Sequence, residues 1–176
     1  MIVRKADEND IEDIMNIVAA ARAYFRENGI DQWQGEYPSR ALFSSDIARG
    51  ELYVCSEDVT VGVCAIVEGD EPSYHNVVEG SWLNERDYIA VHRIAVSPEC
   101  KGKGVAGAFI KKAIEIASAH GVSDIRCDTH ADNRNMRRML EKNGFAFCCV
   151  ITLCDDGAER VGYQMNFDIS EVSYVQ

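Results

Sequence analysis

The pattern of apolar and polar positions predicts a chain in which strands and helices are interleaved. Apolar residues recur at the three- and four-residue spacing of an amphipathic helix, at residues 7–29, 105–120 and 133–144. A further short helix is predicted from Pro38 to about residue 49. Short apolar or alternating runs predict strands at residues 2–5, 51–56, 60–68, 88–96, 122–129, 145–154 and 160–167.

The order of these elements, β-α-α-β-β-β-α-β-α-β-β, indicates the fold class. Residues 88–96, the helix after them and residues 122–129 form one crossover unit, so these two strands should be parallel. Tight turns at residues 57–58 and 155–157 make hairpins and thus antiparallel neighbours. The prediction is one α+β domain over residues 1–176 with a mixed, mostly antiparallel sheet. Residues 69–87 are polar and turn-rich, which predicts a long loop.

Composition and charge narrow the classes of function. The net charge of −11 disfavours nucleic acid as a partner, because an acidic surface repels its phosphates. No apolar run approaches the roughly 18 residues that a membrane helix needs, and no signal peptide is recognisable, so we expect a cytoplasmic protein. The seven cysteines form no C-x-x-C pair and the four histidines lack zinc-finger spacing, which predicts free thiols and no metal.

A glycine-rich segment carries the clearest chemistry. The sequence SPECKGKGVAGAFIKKA, residues 97–113, contains G-x-G-x-x-G and opens a predicted helix. Backbone N–H groups of such a loop point one way and, with the partial positive charge of a helix N-terminus, bind phosphate. Positive charge is added by Lys101, Lys103, Lys111 and Lys112.

The same glycine pattern is also found in dinucleotide sites. Asp128 lies near the position of a ribose-binding acid, which supports NAD or FAD as the ligand. Against this, five residues separate the preceding strand from Gly102, and the pattern lies late in the chain. The alternating βα units that should follow are missing, and a nucleotide P-loop motif is absent.

Two motifs together resemble one family. The segment Lys101-Gly102-Lys103-Gly104-Val105-Ala106 resembles the acetyl-CoA loop of the GCN5-related N-acetyltransferase (GNAT) superfamily, although lysine stands where that loop has arginine or glutamine. The segment NRNMRRMLEKNGF, residues 133–145, resembles a second motif of the family. Its Asn133, Glu141, Lys142, Gly144 and Phe145 match, whereas Met136 replaces a small residue and Leu140 replaces a tyrosine.

The resemblance implies acetyl-CoA as co-substrate, held between two splayed parallel strands. The diphosphate is expected on the N–H groups of Gly102, Lys103, Gly104, Val105 and Ala106, beside Lys101. The pantetheine arm is expected to pair with the backbone of Ile94, Ala95 and Val96 as an added strand. Asn133 would hydrogen-bond this arm, cap its own helix, or do both.

Acetyl transfer to an amine needs a base for the amine proton and donors for the negative charge that develops on the thioester oxygen. The N–H groups of residues 94–96 are the expected donors. We predict His92 as the catalytic base, because histidine titrates near neutral pH and the superfamily's aralkylamine acetyltransferases place a histidine at the matching offset. A core histidine is the alternative for His92, and His130 and Asp128 are further candidates.

The sequence leaves alternatives for the general acid and for the residues of the acceptor site. Leu140 cannot donate a proton, so solvent, Cys127 or Tyr163 would have to replace the usual tyrosine. Trp33 and Tyr37 would form the wall of the substrate pocket, or would only cover the core. The C-terminal hairpin and the tail, residues 168–176, would make contacts in a homodimer.

The sequence thus predicts an N-acetyltransferase for a small amine, a protein N-terminus or a lysine. A non-catalytic acyl-CoA-binding or sensing domain is the alternative, motivated by Leu140. An NAD-linked oxidoreductase ranks last.

Overall fold

The computed structural model describes residues 1–172. Contacts divide the chain into two compact units, of which the first comprises Met1–Ile66 and His92–Ile110. The second comprises Val67–Val91 and the chain from Lys111 onward. The expectation of one domain stays a prediction, as does the homodimer, and the last four residues of the predicted dimer tail lie outside the described residues.

Eight strands and four α-helices occur within residues 1–172. The helices are α1 (Ile11–Glu27), α2 (Arg40–Arg49), α3 (Val105–Ala119) and α4 (Arg134–Lys142). The strands are β1 (Ile2–Lys5), β2 (Leu52–Ser56), β3 (Thr60–Glu68), β4 (Val77–Gly80), β5 (Ile89–Val96), β6 (Asp124–Thr129), β7 (Ala146–Thr152) and β8 (Glu159–Asn166). They form a mixed sheet in the order β1-β2-β3-β5-β6-β8-β7-β4. The predicted fold class is confirmed.

In the first unit, α1 and α2 have ends that the sequence encodes locally. Asp7 caps a short 3₁₀ turn by accepting a hydrogen bond from Asn9 N–H at 2.8 Å, and α1 follows directly. Gly29 ends this region with a φ of +66°, a left-handed conformation that favours glycine. Ser39 caps α2 by accepting from Leu42 N–H at 3.2 Å. The apolar stripe of α1, from Ile11 to Phe25, is buried as its periodicity predicts.

One glycine of β3 lets α3 begin close to the strand. A Cβ on Gly62 would lie 2.7 Å from Val105 Cγ1 and 3.1 Å from the Phe109 ring. Both side chains belong to the first turns of α3 and are buried. Gly62 therefore sets the distance at which the N-terminus of α3 packs on the sheet.

In the second unit, the predicted parallel pair is confirmed. β5 pairs in parallel with β6 at Ile89–Ile125 and Ala90–Arg126. The remaining strands are antiparallel: β6 pairs with β8, β8 with β7, and β7 with β4.

The prediction of a continuous loop over residues 69–87 is wrong, because β4 lies within it. This strand has four residues, too few to show an alternating pattern, and its register places Val77 opposite Ile151. A partner so distant in the sequence leaves no local signal. A 3₁₀ turn, Pro72–His75, also lies in this segment.

The cysteines and the lengths of the helices can be read from the described residues. All seven cysteines lie in the described residues and are free, and four of them are buried: Cys55, Cys64, Cys127 and Cys149. Among residues 1–172, no helix combines the length and the apolar character needed to cross a bilayer.

Candidate functional site

The predicted cofactor loop lies in the first unit, between β5 and α3. Ser97 N–H donates to Val61 O at 2.9 Å, which fixes the end of β5 against β3. A short 3₁₀ turn, Pro98–Cys100, follows. The chain then turns through Gly102 and Gly104, whose φ angles are +78° and +88°. Both values lie in the left-handed region, where a side chain is strained.

The space around these glycines fits a bound group. Apart from the glycine and its two chain neighbours, no heavy atom of the described residues lies within 4 Å of the position that a Cβ would take at Gly102 or at Gly104. Packing within the protein therefore does not require glycine here. A ligand that lies against the bare backbone would require it, because a Cβ would occupy the ligand's place.

The backbone N–H groups at the start of α3 supply donors. Ala108 N–H donates to Gly104 O at 2.9 Å, one of the first hydrogen bonds of the helix. The preceding N–H groups, of Val105, Ala106 and Gly107, have no acceptor within the helix, as at every helix N-terminus. Lys103 N–H donates to Cys100 O at 3.2 Å, so one of the five predicted amides already has an acceptor inside the loop.

Lys101, the residue that departs from the family motif, is held by an aromatic ring. Its Nζ lies 4.2 Å from the centroid of the Tyr24 ring, on α1. Such a cation–π contact keeps the ammonium beside the loop without neutralising it. Of the other predicted cations, Lys112 pairs through Nζ with Glu115 at 2.7 Å. This ion pair reduces the positive charge that Lys112 offers to a phosphate.

A pocket of about 280 Å³ borders the same loop but is a different site. It lies between α1 and residues 97–99, and its lining includes the acidic side chains of Asp13 and Glu99. These carboxylates oppose a phosphate group. None of the predicted site residues lines this pocket.

His92, the predicted base, is half-buried in the first unit, with its Nε2 atom shielded from solvent. Burial, and after it the charge of the neighbouring Arg93, lower the pKa of its imidazole to about 3. The imidazole is therefore neutral at physiological pH, whereas the sequence predicted a histidine that titrates near pH 7. An effective general base has a pKa near the working pH.

Arg93 follows His92 and has an unusual backbone. Its φ is +55°, a left-handed conformation within β5, which is rare for a residue with a side chain. Its Nη2 lies 2.9 Å from Asp46 Oδ2, and Asp46 has no accessible surface. Arg49 pairs with the other oxygen of the same carboxylate and with Glu51.

Trp33 and Tyr37 lie on the loop between α1 and α2. Ring contacts and hydrogen bonds fix this loop. Trp33 packs edge-on against Phe25 with ring centroids 5.6 Å apart, and its φ is +59°. The Trp33 and Tyr37 rings are 6.4 Å apart. Arg22 Nη2 donates to the carbonyl oxygens of Glu36 and Pro38, at 2.8 and 3.0 Å. The peptide bond before Pro38 is cis.

The exposure of these two rings differs. Trp33 is half-buried, whereas the side chain of Tyr37 is 46% exposed. Arg93 Nη1 donates to Tyr37 Oη at 3.3 Å. Tyr37 therefore does more than cover the core: it presents a ring to solvent and a hydroxyl to a buried guanidinium.

Ile94, Ala95 and Val96 form the end of β5 in the first unit. The predicted residues Asn133, Asp128 and His130 lie in the second unit. Asn133 caps α4 by accepting from Met136 N–H at 3.2 Å and is 7% exposed, so its capping role is confirmed. Asp128 accepts a hydrogen bond from Tyr74 Oη at 3.0 Å, and burial raises the pKa of its carboxyl group. His130 Nδ1 lies 3.2 Å from Asp132 N–H, which donates to it.

Comparison with models of protein families shows to which family the chain belongs. The model of the acetyltransferase (GNAT) family matches residues 14–145, more than half of the chain. The chain belongs to the GNAT acetyltransferase family. Members of this family use acetyl-CoA in acetyl transfer. The sequence has no match among curated proteins.

Solved structures of GNAT acetyltransferases have the same fold. One from Streptococcus agalactiae is 36% identical, with a TM-score of 0.84, and the match covers 95% of each chain. The Salmonella typhimurium protein yncA, with its cofactor acetyl-CoA, is 17% identical with a TM-score of 0.64, over 95% of this chain and 94% of that one. A ribosomal-protein-alanine N-acetyltransferase from Brucella melitensis is 15% identical with a TM-score of 0.66, over 95% and 100%.

Sequence reasoning missed four residues that build this site. Gly62, Tyr24, Asp46 and Arg93 each act through a partner far away in the sequence. Two of them left a signal: a glycine inside an apolar strand indicates a close approach, and an arginine inside an apolar strand indicates a buried partner. Tyr24 and Asp46 left none, because each lies in an ordinary helical pattern.

Proposed function

We propose that this protein transfers the acetyl group of acetyl-CoA to a primary amine by direct attack. One observation supports this most strongly. Two left-handed glycines, with open space where a side chain would lie, lead into the donor-rich start of α3 in a member of an acetyltransferase family. Such a loop binds a diphosphate through its backbone.

The residues of the first unit divide the binding among them. Gly102, Gly104, Val105 and Ala106 would hold the diphosphate with their N–H groups, and the ammonium of Lys101 would add charge. The backbone of Ile94, Ala95 and Val96 would pair with the pantetheine arm. The contact of Asn133 with that arm stays a prediction from the sequence. When bound, acetyl-CoA supplies the activated thioester.

For the acceptor amine, the wall of Trp33 and Tyr37 favours an organic cation over an anion. Aromatic faces attract cations, and the protein's net charge of −11 favours their approach. The amine must lose a proton before it attacks. Because His92 is neutral with a pKa of about 3, it would orient the amine but would not accept its proton. Water or another group would take this proton.

The alternative function is a non-catalytic acyl-CoA-binding domain. Leu140, which replaces the family's tyrosine, has no accessible surface and cannot donate a proton. A sensing domain would need only the cofactor loop.

Two measurements on the purified protein test the proposal. We expect acetyl-CoA to raise the melting temperature, whereas NAD and FAD leave it unchanged. We also expect release of coenzyme A with at least one member of a panel of amines, followed by chromatography because the protein's own thiols react with thiol reagents. An unchanged melting temperature would contradict acetyl-CoA binding. A raised melting temperature without turnover of any amine would favour the sensing domain.

A further inference from the structure

Release of coenzyme A leaves a thiolate sulfur that needs a proton. The residues that the sequence offers as proton donors, Cys127 and Tyr163, are inaccessible. Leu140 has no acidic hydrogen. Cys127 is 1% exposed and Tyr163 is 0% exposed. The Tyr163 hydroxyl is also engaged, because it accepts from Arg137 Nε at 3.0 Å and donates to Glu141 at 3.1 Å. Neither group can reach a bound ligand.

The other tyrosines within residues 1–172 can be compared in the same way. Tyr53 and Tyr74 are buried, at 9% and 2% exposure. Tyr88 Oη accepts from Glu71 N–H at 3.0 Å and is thus tied to its own loop. The ring of Tyr24 lies under Lys101, at the diphosphate end of the site. Tyr37 differs from these because it is 46% exposed.

Tyr37 is joined to the strand on which the thioester is expected. Its Oη accepts from Arg93 Nη1 at 3.3 Å, and Arg93 directly precedes Ile94 on β5. The backbone of residues 94–96 is the segment that would pair with the pantetheine arm. The guanidinium is held by Asp46, so the phenol has a fixed anchor.

The Arg93 guanidinium lies where it would stabilise the phenolate that a proton transfer from Tyr37 leaves behind. Burial lowers the pKa of the Arg93 guanidinium, but the negative charges of Tyr37 and Asp46 outweigh burial and raise it. The attraction is mutual: a guanidinium that is stabilised by a phenolate also stabilises that phenolate. Arg93 is further fixed by its strained backbone, with a φ of +55°.

We propose that Tyr37, positioned by Arg93, donates its hydroxyl proton to the sulfur of coenzyme A as the acetyl group leaves. This proposal rests on the proposed function. The amine nitrogen forms a bond to the acetyl carbon, and the carbon–sulfur bond breaks. The sulfur takes the proton of the Tyr37 hydroxyl, and the phenolate remains beside the Arg93 guanidinium. The nitrogen's surplus proton passes to water, and water returns a proton to Tyr37.

The first test measures binding without turnover. Calorimetry would compare coenzyme A with desulfo-coenzyme A, which lacks the sulfur, on the wild-type protein and on Tyr37→Phe. Loss of one hydrogen bond of about 1 kcal/mol should weaken coenzyme A about fivefold. Binding of desulfo-coenzyme A should be the same in both proteins. Equal affinities for coenzyme A would overturn the proposal.

The second test follows the rate against pH. In the wild-type protein, kcat should fall at high pH as Tyr37 loses its proton. Tyr37→Phe should lower kcat by about 10²-fold and remove this basic limb, with little change in the KM for acetyl-CoA. Tyr53→Phe, the same change at a buried tyrosine of β2, should keep the limb. An unchanged kcat in Tyr37→Phe would also overturn the proposal.

The two proposals fail in different ways. A wild-type protein that binds coenzyme A but acetylates no amine would overturn the transferase, and the sulfur contact of Tyr37 would still show in the binding comparison. An active wild-type protein with an equally active Tyr37→Phe variant would overturn only the role of Tyr37. Melting temperatures of the variants verify that each is folded.

Discussion

The cofactor loop and the Arg93 cluster adjoin the same half of β5 but are built in different ways. The loop, residues 101–106, uses backbone N–H groups and two glycines, so a local motif specifies it. The Arg93 cluster (Arg93, Asp46, Arg49 and Tyr37) uses side chains from β5, α2 and the loop before α2. Backbone sites tolerate side-chain changes such as Lys101, whereas side-chain clusters depend on every partner.

The largest expected effect comes from breaking the cluster. Arg93→Met would leave the carboxylate of Asp46 buried with only Arg49 as a partner, and we expect a loss of about 3 kcal/mol or more in the free energy of unfolding. Arg40→Met is the matched control, because the Arg40–Glu12 pair is exposed on both sides and should cost less than about 1 kcal/mol. Urea denaturation measures both. Similar losses in the two variants would contradict a special role for the buried pair.

The next effect concerns the position of α3. Gly62→Ala would place a methyl group 2.7 Å from Val105 Cγ1 and 3.3 Å from Ala95 O, so we expect a loss of about 1–3 kcal/mol in stability. Val105→Ala in the same chain should restore part of it. Gly35→Ala is the control, because no atom lies within 4 Å of its Cβ position. If Gly62→Ala were as stable as Gly35→Ala, the packing argument would be wrong.

A smaller effect separates backbone strain from ligand contact. Gly102→Ala and Gly29→Ala both place a side chain at a left-handed φ, +78° and +66°, with no protein atom nearby. Each should lose roughly 1 kcal/mol in stability. Only Gly102→Ala should also weaken acetyl-CoA binding, by about tenfold or more, as measured by calorimetry. Equal affinities in both variants would show that the loop does not touch the ligand.

A last effect, spread over several pH units, is a pH dependence of stability. The pKa of His92 falls from the ordinary 6.5 to about 3 in the folded protein. Between these values the unfolded chain binds the extra proton, so stability falls as pH is lowered, by at most about 1.4 kcal/mol per pH unit from this group. His92→Gln should flatten the urea midpoint between pH 6.5 and 4. An unchanged slope would contradict burial of the imidazole.

The same contrast explains how much could be predicted from the sequence. The four helices, the parallel β5–β6 pair and the glycine loop follow from periodicity and short motifs. β4 could not be predicted, because its partner Ile151 is remote in the sequence. The titration of His92 depends on burial and on Arg93, neither of which a strand pattern reveals. The Tyr37–Arg93 contact depends on the fold that brings a loop to β5.

One measurement tests the central claim most directly: amide resonances of the protein followed during titration with acetyl-CoA. We expect the N–H signals of Gly102, Gly104, Val105 and Ala106 to move most, and that of Lys103 to move less because it already donates to Cys100 O. The signal of Gly29 should stay in place. Saturation of the protein with the four loop signals unmoved would contradict the account.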